Sequence, residues 1–544
     1  LEDPAEARKR GAKAVVRRDV VRLVTPGTIT EDTILEPGTR NYLTALFKVP
    51  ATDGEDGAIA LASLDISTGD MEIGEVGLGD LAGELMRLAP KEVIAADASF
   101  SDAEIKSCLD LSRAAATPVP ARSFDSLSGE RGLKARLGVG DLSAFGAFSR
   151  HELAAAGALL RYIELTQIGR QPVIRPPRRT GRDAALVIDA ASRASLEISR
   201  SISGDRTGSL LAAIDRTVTG PGARELASRL ASPVRDPRVI ARRQDAVAYL
   251  IDKELLRNDL RPALARTPDL ARALGRLALQ RGTPRDLAQI RDGLKGALAC
   301  GRAISEQAGA VGSPEALAAI GERLASADGP LVAELVKALV EEPPPVKRDG
   351  GYVRAGYRPD LDDNRRLRDD SRRVLAELEA RYQAETGIKG LKIRHNNQIG
   401  TFIEVSAQAG KALLEPEAAR AWRHRQTLPN VLRFATAELV ETEGLIATAA
   451  AELLAIAAAL AELDVYAGLA ELAVEQGYIR PVVDDSGAFE IRAGRHPVVE
   501  QALRRARAGP FIENDCLLAR PIAVSDAAPP APGFDEDVAA RILI

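Results

Sequence analysis

The chain has 544 residues, of which 45% are hydrophobic and 28% charged, with a formal net charge of −4. One core does not grow to that size, so roughly three to five domains are expected; the near-balanced charge excludes a surface that is basic throughout and confines any polyanion site to a local patch. Three cysteines, Cys108, Cys300 and Cys516, stand far apart with no CxxC or Cys/His spacing, which argues against a structural zinc and for a reducing cytoplasm.

Leu1 to Asp19 is charged, short of large apolar residues and without an initiator Met, so it reads as the end of something longer rather than as a domain. Val20 to Val24 reads as a strand halted by the turn signal Thr25-Pro26-Gly27-Thr28. From Tyr42 to about Gly169, strand-like runs (Leu43 to Val49, Ala58 to Ile66, Glu92 to Ala95) alternate with helical ones (Leu78 to Leu88, His151 to Gln167), the pattern of an α/β domain. Asp65, on one of those strands, is a conceivable nuclease carboxylate, but two-metal chemistry needs several converging acids and no second or third is suitably spaced. A structural role is expected.

Gln171 to Arg182 reads as a Pro/Arg linker, and Ala184 to Val340 as a helical region whose breaks fall at Pro233, Pro237, Pro268, Pro284 and Pro343 to Pro345. The arginines of this region (Arg242, Arg243, Arg272, Arg276, Arg281, Arg285, Arg291) are balanced by acids and read as solvated faces and interhelical pairs. Pro359 to Thr386 then places Leu367, Val374, Leu375, Leu378 and Tyr382 on one helical face, and Ala435 to about Gln476 is an Ala/Leu/Glu-rich, Pro-free run. The apolar part of the latter, Ala447 to Ala473, holds Glu452, Glu462, Asp464 and Glu471, which are costly in lipid; no membrane segment or signal sequence is expected.

Between these two helical runs, Leu391 to Phe434 differs in kind. Ile399 to Val405 reads as strand with a turn at Asn396-Asn397, and seven basic residues (Lys392, Arg394, Lys411, Arg420, Arg423, Arg425, Arg433) face three acidic ones (Glu404, Glu415, Glu417), a local charge of +4. The first helical run, 28 residues at ~1.5 Å of rise each, spans ~42 Å, so a basic β-rich tip stands on a helical pair. Lys392, Arg394, Asn396, Arg423, Arg425, Gln426, Thr427, Asn430 and Arg433 are donor types suited to phosphate oxygens and need no particular base sequence. A solvated charge run at a coiled-coil tip is the alternative these residues leave open. Beyond Tyr478 strand-like runs return (Ile479 to Val483, Phe489 to Arg492), a domain begins without finishing, and Ser525 to Ile544 is Pro/Ala-rich and acidic with no periodicity sufficient for a core.

Several segments, taken in order, resemble those of the MutS family of bacterial DNA mismatch-repair proteins: RLVTPGT (22–28), LDISTG (64–69), DAASRASLEI (189–198), SLLAAIDRTVT (209–219), RLALQRGTPRDLAQIR (276–291), RDGGYVRAGY (348–357), GLKIRHNNQIGTFIEVS (390–406), RQTLPNVLRF (425–434), GRHPVVE (494–500) and PFIEND (510–515). Each is weak alone, and their collinearity is the strong signal. The resemblance implies a multidomain α/β protein: a remnant of a mismatch-binding domain at 1–19, a connector domain at 20–170, a mainly helical core and lever at 171–390 and 435–477, a β-rich clamp at 391–434, the start of a P-loop ATPase domain at 478–524, and a disordered or non-native tail at 525–544.

In the family the clamp grips the DNA backbone, MutL is recruited partly through the connector domain, a homodimer forms, and ATP/ADP with Mg²⁺ drive the cycle. By the same resemblance Phe511 matches an adenine-stacking aromatic, with Ile512 beside it and His496 in the GRHP turn; an ordinary core aromatic and a turn-stabilising histidine are the alternatives. Phosphate binding requires a GxxxxGK[ST] loop, and none occurs in these 544 residues, so no productive ATP or Mg²⁺ binding and no hydrolysis are expected of this chain. Pro429 stands where a Lys is common in the family, which removes a phosphate contact; Ser195 and Thr401 are smaller departures. The expected function is that of a MutS-type DNA clamp retaining backbone grip, and the alternative is a non-enzymatic DNA-binding or scaffold protein of the same architecture.

Overall fold

The computed structural model describes residues 20, 22–49, 57–168, 170–180, 185–307, 312–362, 392–396, 400–406, 423–428, 431–435, 438–486 and 489–518. The expectations for 1–19, the helical face of 367–382 and the tail at 525–544 lie outside the described residues. The chain forms two units, Leu1–Val332 with Leu453–Ile544, and Ala333–Glu452.

The first unit opens with a sheet of six strands: β1 (Tyr42–Lys48), β2 (Ala58–Asp65), β3 (Asp70–Gly77), β4 (Glu92–Ala96), β5 (Ala115–Val119) and β6 (Arg178–Thr180), in the order β5-β4-β1-β2-β3-β6. β1, β2 and β3 form an antiparallel meander, while β4, β5 and β6 each run parallel to a neighbour. Helices α1 (Leu81–Leu88), α2 (Asp97–Phe100), α3 (Ala103–Ser112), α4 (Ser126–Leu137) and α5 (Arg150–Gln167) accompany it. Side chains alternate across a strand. Leu43 and Ala45 of β1 therefore enter one core with Leu133 of α4 and with Leu159 and Ile163 of α5. Tyr42 and Leu46 enter the other with Leu81 and Leu85 of α1 and with Ile105 and Leu109 of α3. Because both faces are covered, these strands read as nearly unbroken apolar runs. α4 and α5 meet at backbone distance: a Cβ on Gly129 would lie 1.9 Å from the Leu153 carbonyl oxygen.

Two expectations are corrected here. The described residues of Val20 to Val24 form no strand; the Leu23 amide donates to the Thr166 carbonyl at the end of α5 (2.8 Å), so this backbone is satisfied by a helix end rather than by a ladder. The Pro/Arg linker is more than a linker, since Arg178–Thr180 add β6 to the sheet beside Glu72–Gly74. Proline immediately before a short edge strand costs no ladder hydrogen bond. Asp65 is structural: its buried carboxylate accepts from the Asn41 amide (3.0 Å) and from the amide and hydroxyl of Ser67 (2.9 and 2.6 Å), which closes the turn after β2.

The helical part comprises α6 (Ala190–Ser195), α7 (Leu210–Ile214), α8 (Gly220–Ala231), α9 (Pro237–Asp252), α10 (Glu254–Ala265), α11 (Leu270–Ala278), α12 (Pro284–Gln307), α13 (Glu315–Ala325) and α14 (Pro330–Ala338). Starts fall where caps stand: Thr219 caps α8 through the Gly222 amide, Asp236 precedes Pro237 at α9, and Asp269 caps α11 through the Arg272 amide. Of the arginines expected on solvated faces and in interhelical pairs, Arg242 pairs with Glu315 of α13 and Arg276 with Asp286 of α12, but Arg272, and Arg224 outside that set, are buried. Arg272, 2% exposed, donates to the Glu36 and Thr39 carbonyls (3.1 and 2.9 Å), and Arg224 reaches the Pro37 carbonyl (2.6 Å) and Asp269 (2.7 Å). Guanidinium groups thus join the helical layer to the loop ahead of β1, a role that helical periodicity does not signal.

A charged cluster lies beneath the same junction. Glu72 on β3 is buried, accepts from the Tyr42 hydroxyl (3.0 Å), and pairs with Arg87 (2.7 Å) and Arg178 (2.6 Å). Burial pushes its carboxyl up, but Arg87 and Arg178 override that and hold it at about 2. Asp70, paired with Arg40 and Arg175, is likewise held below the usual range against the opposing effect of burial. A carboxylate depressed in the folded state stabilises above its unfolded pKa, and that stability is lost as pH falls through the folded value. Stability is therefore expected to fall between about pH 4.5 and pH 2, and Glu72→Gln to flatten that limb in a denaturation series against pH. An unchanged limb would show that Glu72 does not carry it.

The second unit holds β7 (Lys392–Asn396), β8 (Gly400–Ser406), β9 (Arg423–Leu428) and β10 (Val431–Ala435). They are followed by α15 (Glu438–Gln476), whose later part belongs to the first unit. Glu452–Gln476 is long and apolar enough to cross a membrane, but 78% of its most apolar window is buried inside the protein, where Leu463, Val465, Tyr466 and Ala467 pack. Last come β11 (Phe489–Gly494), α16 (Pro497–Ala506) and β12 (Asn514–Leu518). The strand expected at Ile479 to Val483 is irregular instead, and Pro481 removes one of its ladder donors.

Candidate functional site

The basic stretch folds as a four-stranded antiparallel sheet in the order β7-β8-β10-β9. Lys392, Arg394 and Asn396 occupy alternate positions of β7, with Glu404, Phe402 and Gly400 of β8 opposite them. Arg423, Arg425, Gln426 and Thr427 lie on β9, where Gln426 pairs with Arg433 of β10 and Thr427 with Leu432. Leu428 stands directly opposite Val431, with two residues between them in the chain. Those two are Pro429 and the predicted contact Asn430, and both lie outside the described residues. The ladder shifts register between Arg433 and Phe434. Eight of the nine predicted DNA-contact positions thus fall on three strands of one sheet, on backbone segments that are far apart in sequence.

The second candidate cluster lies at the end of the chain. β11 and β12 pair antiparallel, with Gly494 opposite Asn514. His496 follows β11 by two residues and Ile512 precedes β12 by two, so the turn carrying His496 and the segment Phe511-Ile512 leave the same end of the ribbon. His496 is the N-cap of α16, its Nδ1 accepting from the Val499 amide at 3.4 Å. That contact is the turn-stabilising role. Phe511 is half-buried and Ile512 is 81% exposed. Among the described residues no group of three or more His, Cys, Asp or Glu side chains is placed to hold a metal ion.

Several residues that organise this region were not singled out from sequence. Arg495 donates to the Gln476 and Gly477 carbonyls that end α15 (3.0 and 3.1 Å), lies over the Tyr478 ring (5.4 Å) and pairs with Glu500 (3.1 Å). Arg504 pairs with the same carboxylate (2.6 Å) and with the Gln476 amide oxygen (2.7 Å). A cation at a helix C-terminus both satisfies orphan carbonyls and complements the helix dipole. The i, i+4 pair Glu500–Arg504 was legible in the sequence; the tertiary cap by Arg495 was not. Further back, Asp464 of α15 accepts from the Val218 amide (3.0 Å) and from the amide and hydroxyl of Thr219 (2.8 and 2.7 Å), the residue that caps α8. Burial pushes its carboxyl pKa up, and those three donors pull against the shift.

Comparison with known proteins gives the lineage. Residues 41–175 match the family model of MutS domain II, and residues 191–470 that of MutS domain III, which alone spans more than half of the chain. A curated relative, the DNA mismatch repair protein MutS of Rhizobium meliloti (strain 1021), is 48% identical over 96% of this chain, and the chain spans 59% of that relative's length. With strands β1 to β5 of its α/β layer inside the first match and its helices α7 to α14 inside the second, the chain belongs to the MutS family.

Proposed function

We propose that this chain acts in DNA mismatch repair by gripping duplex DNA through its phosphate backbone, with the sheet β7-β8-β10-β9 as the gripping surface. The observation that carries this is the gathering of Lys392, Arg394, Arg423, Arg425 and Arg433 onto one small sheet in a chain that is otherwise net acidic. Alternate residues of a strand share one face, and Lys392, Arg394 and Asn396, like Arg423 and Arg425, keep that spacing. Gln426, Thr427 and Asn430 add neutral donors. Such a set reads charge and spacing rather than base identity.

In this reading 20–170 is the connector, through which MutL is met, 171–390 with 435–477 is core and lever, 391–434 is the clamp, and 478–524 opens the ATPase part. His496, Phe511 and Ile512 would flank an adenine. The residues do not amount to a site for ATP with Mg²⁺: His496 serves as a helix cap, no GxxxxGK[ST] loop occurs in the sequence, and no metal-binding cluster exists among the described residues. No step of the proposed activity is therefore routed through nucleotide. The homodimer that the family resemblance implies belongs to the same proposal.

The test is fluorescence anisotropy of the chain with a labelled duplex of about thirty base pairs, matched and mismatched, over a salt series. Equal binding to both duplexes, with log K falling by about 0.9 per log unit of salt for each phosphate neutralised, is expected. Absence of binding at low salt would overturn the reading, and a preference for the mismatch would show base readout that this sheet does not supply.

A further inference from the structure

A groove of about 470 Å³ runs between α8, α9, α15 and the segment Tyr478–Pro481 that leaves α15. Its walls are aliphatic, with Leu226 and Leu230 from α8, Val247 and Ile251 from α9, and Val465 and Leu469 from α15. Two arginines enter it, and they differ. Arg229 is matched, pairing with Glu225 and Glu462 (2.8 Å each) and lying over the Tyr466 ring (5.1 Å). Arg243 makes no ion pair or hydrogen bond among the described residues, and burial together with the nearby Arg229 disfavours its charge, outweighing Tyr466, Glu225 and Glu462, the two acids being the ones that pair with Arg229. An unmatched cation beside an aliphatic wall fits an aliphatic segment that also carries a carboxylate.

The chain displays such a segment. Arg480 pairs with Asp245 (2.6 Å), and Gln244 donates to the Pro481 carbonyl (3.1 Å), which pins the rim of the groove to α9. The next residues leave the surface: Val482 is 93% exposed, Val483 is also exposed, and Asp484 and Asp485, exposed in turn, make no ion pair among the described residues. We propose that the groove receives Val482–Asp485 of a second copy of this chain, with the valines on the aliphatic wall and an aspartate carboxylate at Arg243. Because each copy carries both groove and segment, one two-fold axis satisfies both contacts at once. The contact is separate from the nucleotide-linked dimer of the family, since it uses neither His496 nor Phe511. Its small area predicts a weak dimer.

Sedimentation velocity of the full chain from 1 to 200 µM tests this. A monomer–dimer equilibrium is expected in that range. Arg243→Glu, and separately Asp484→Lys with Asp485→Lys, should each weaken it by about 30-fold or more, since a close charge pair becomes a like-charge contact. All three changes in one chain should restore the dimer to within about 3-fold of the starting affinity, a rescue that a merely structural role for Arg243 would not produce. The aspartates are exposed and Asp484 accepts only a local hydrogen bond, from the Ser486 amide two residues on (2.9 Å), so their reversal is expected to leave the fold intact and remains informative even if Arg243→Glu unfolds. A chain that stays monomeric at 200 µM, a dimer indifferent to the aspartate reversal, or a charge-swapped chain that folds without recovering the dimer would each overturn the proposal.

Discussion

Asp464→Ala is expected to destabilise the first unit by about 3 kcal/mol, read as a shift in the denaturant midpoint at constant slope. The wild-type carboxylate accepts from the Val218 amide and from the amide and hydroxyl of Thr219, at the start of α8. Alanine leaves those donors beside an apolar methyl at a site that is closed to water, and each unsatisfied buried donor costs about 1–3 kcal/mol. Gly222 shows how tightly the carboxylate is seated, since a Cβ there would lie 2.1 Å from an Asp464 oxygen. Asp464→Asn keeps one acceptor and should lose less. A midpoint for Asp464→Ala within experimental error of wild type would mean that α8 is held by apolar contacts alone.

The second large effect concerns the sheet. Replacing Arg423, Arg425 and Arg433 together by alanine should lower duplex affinity about a hundredfold near 0.1 M salt and reduce the slope of log K against log salt by about 3. Three phosphate contacts fewer mean about three fewer released counterions, so affinity and slope should fall together. The loss should be the same on matched and mismatched duplexes, because phosphate contacts position without specifying. A fall in affinity with an unchanged slope would point to a disturbed sheet rather than to lost phosphate contacts and would remove these arginines from the proposed surface.

How far the sequence reaches is visible strand by strand. β1, β2 and β4 were legible because both of their faces are buried and their residues are accordingly apolar. β3 (DMEIGEVG) and β5 (AATPV) were not, since the first carries acids that pair with arginines elsewhere and the second, at a sheet edge, is largely exposed. β6 follows two prolines and was read as linker for that reason. Among the site residues, charge pattern and strand signals pointed to the sheet between 392 and 435, but they could not supply the register that sets Gln426 against Arg433.

By itself the sequence determined the order of α/β, helical and basic β-rich parts, the helix breaks around Pro233, Pro237, Pro268 and Pro284, and, through the order of its motifs, the family. These are local or collinear properties, written in spacing, capping and turn residues. Tertiary structure alone decided which charges lose water and with whom: Glu72 with Arg87, Asp464 with the start of α8, Arg495 with the end of α15, and Arg243 with no ion pair or hydrogen bond among the described residues. The reason is physical. The energy of a charge is fixed by how much water it loses and by what stands within a few ångströms of it, and both depend on segments brought together from 15 residues away, as for Glu72 and Arg87, to 246, as for Asp464 and Val218, which periodicity along the chain does not encode.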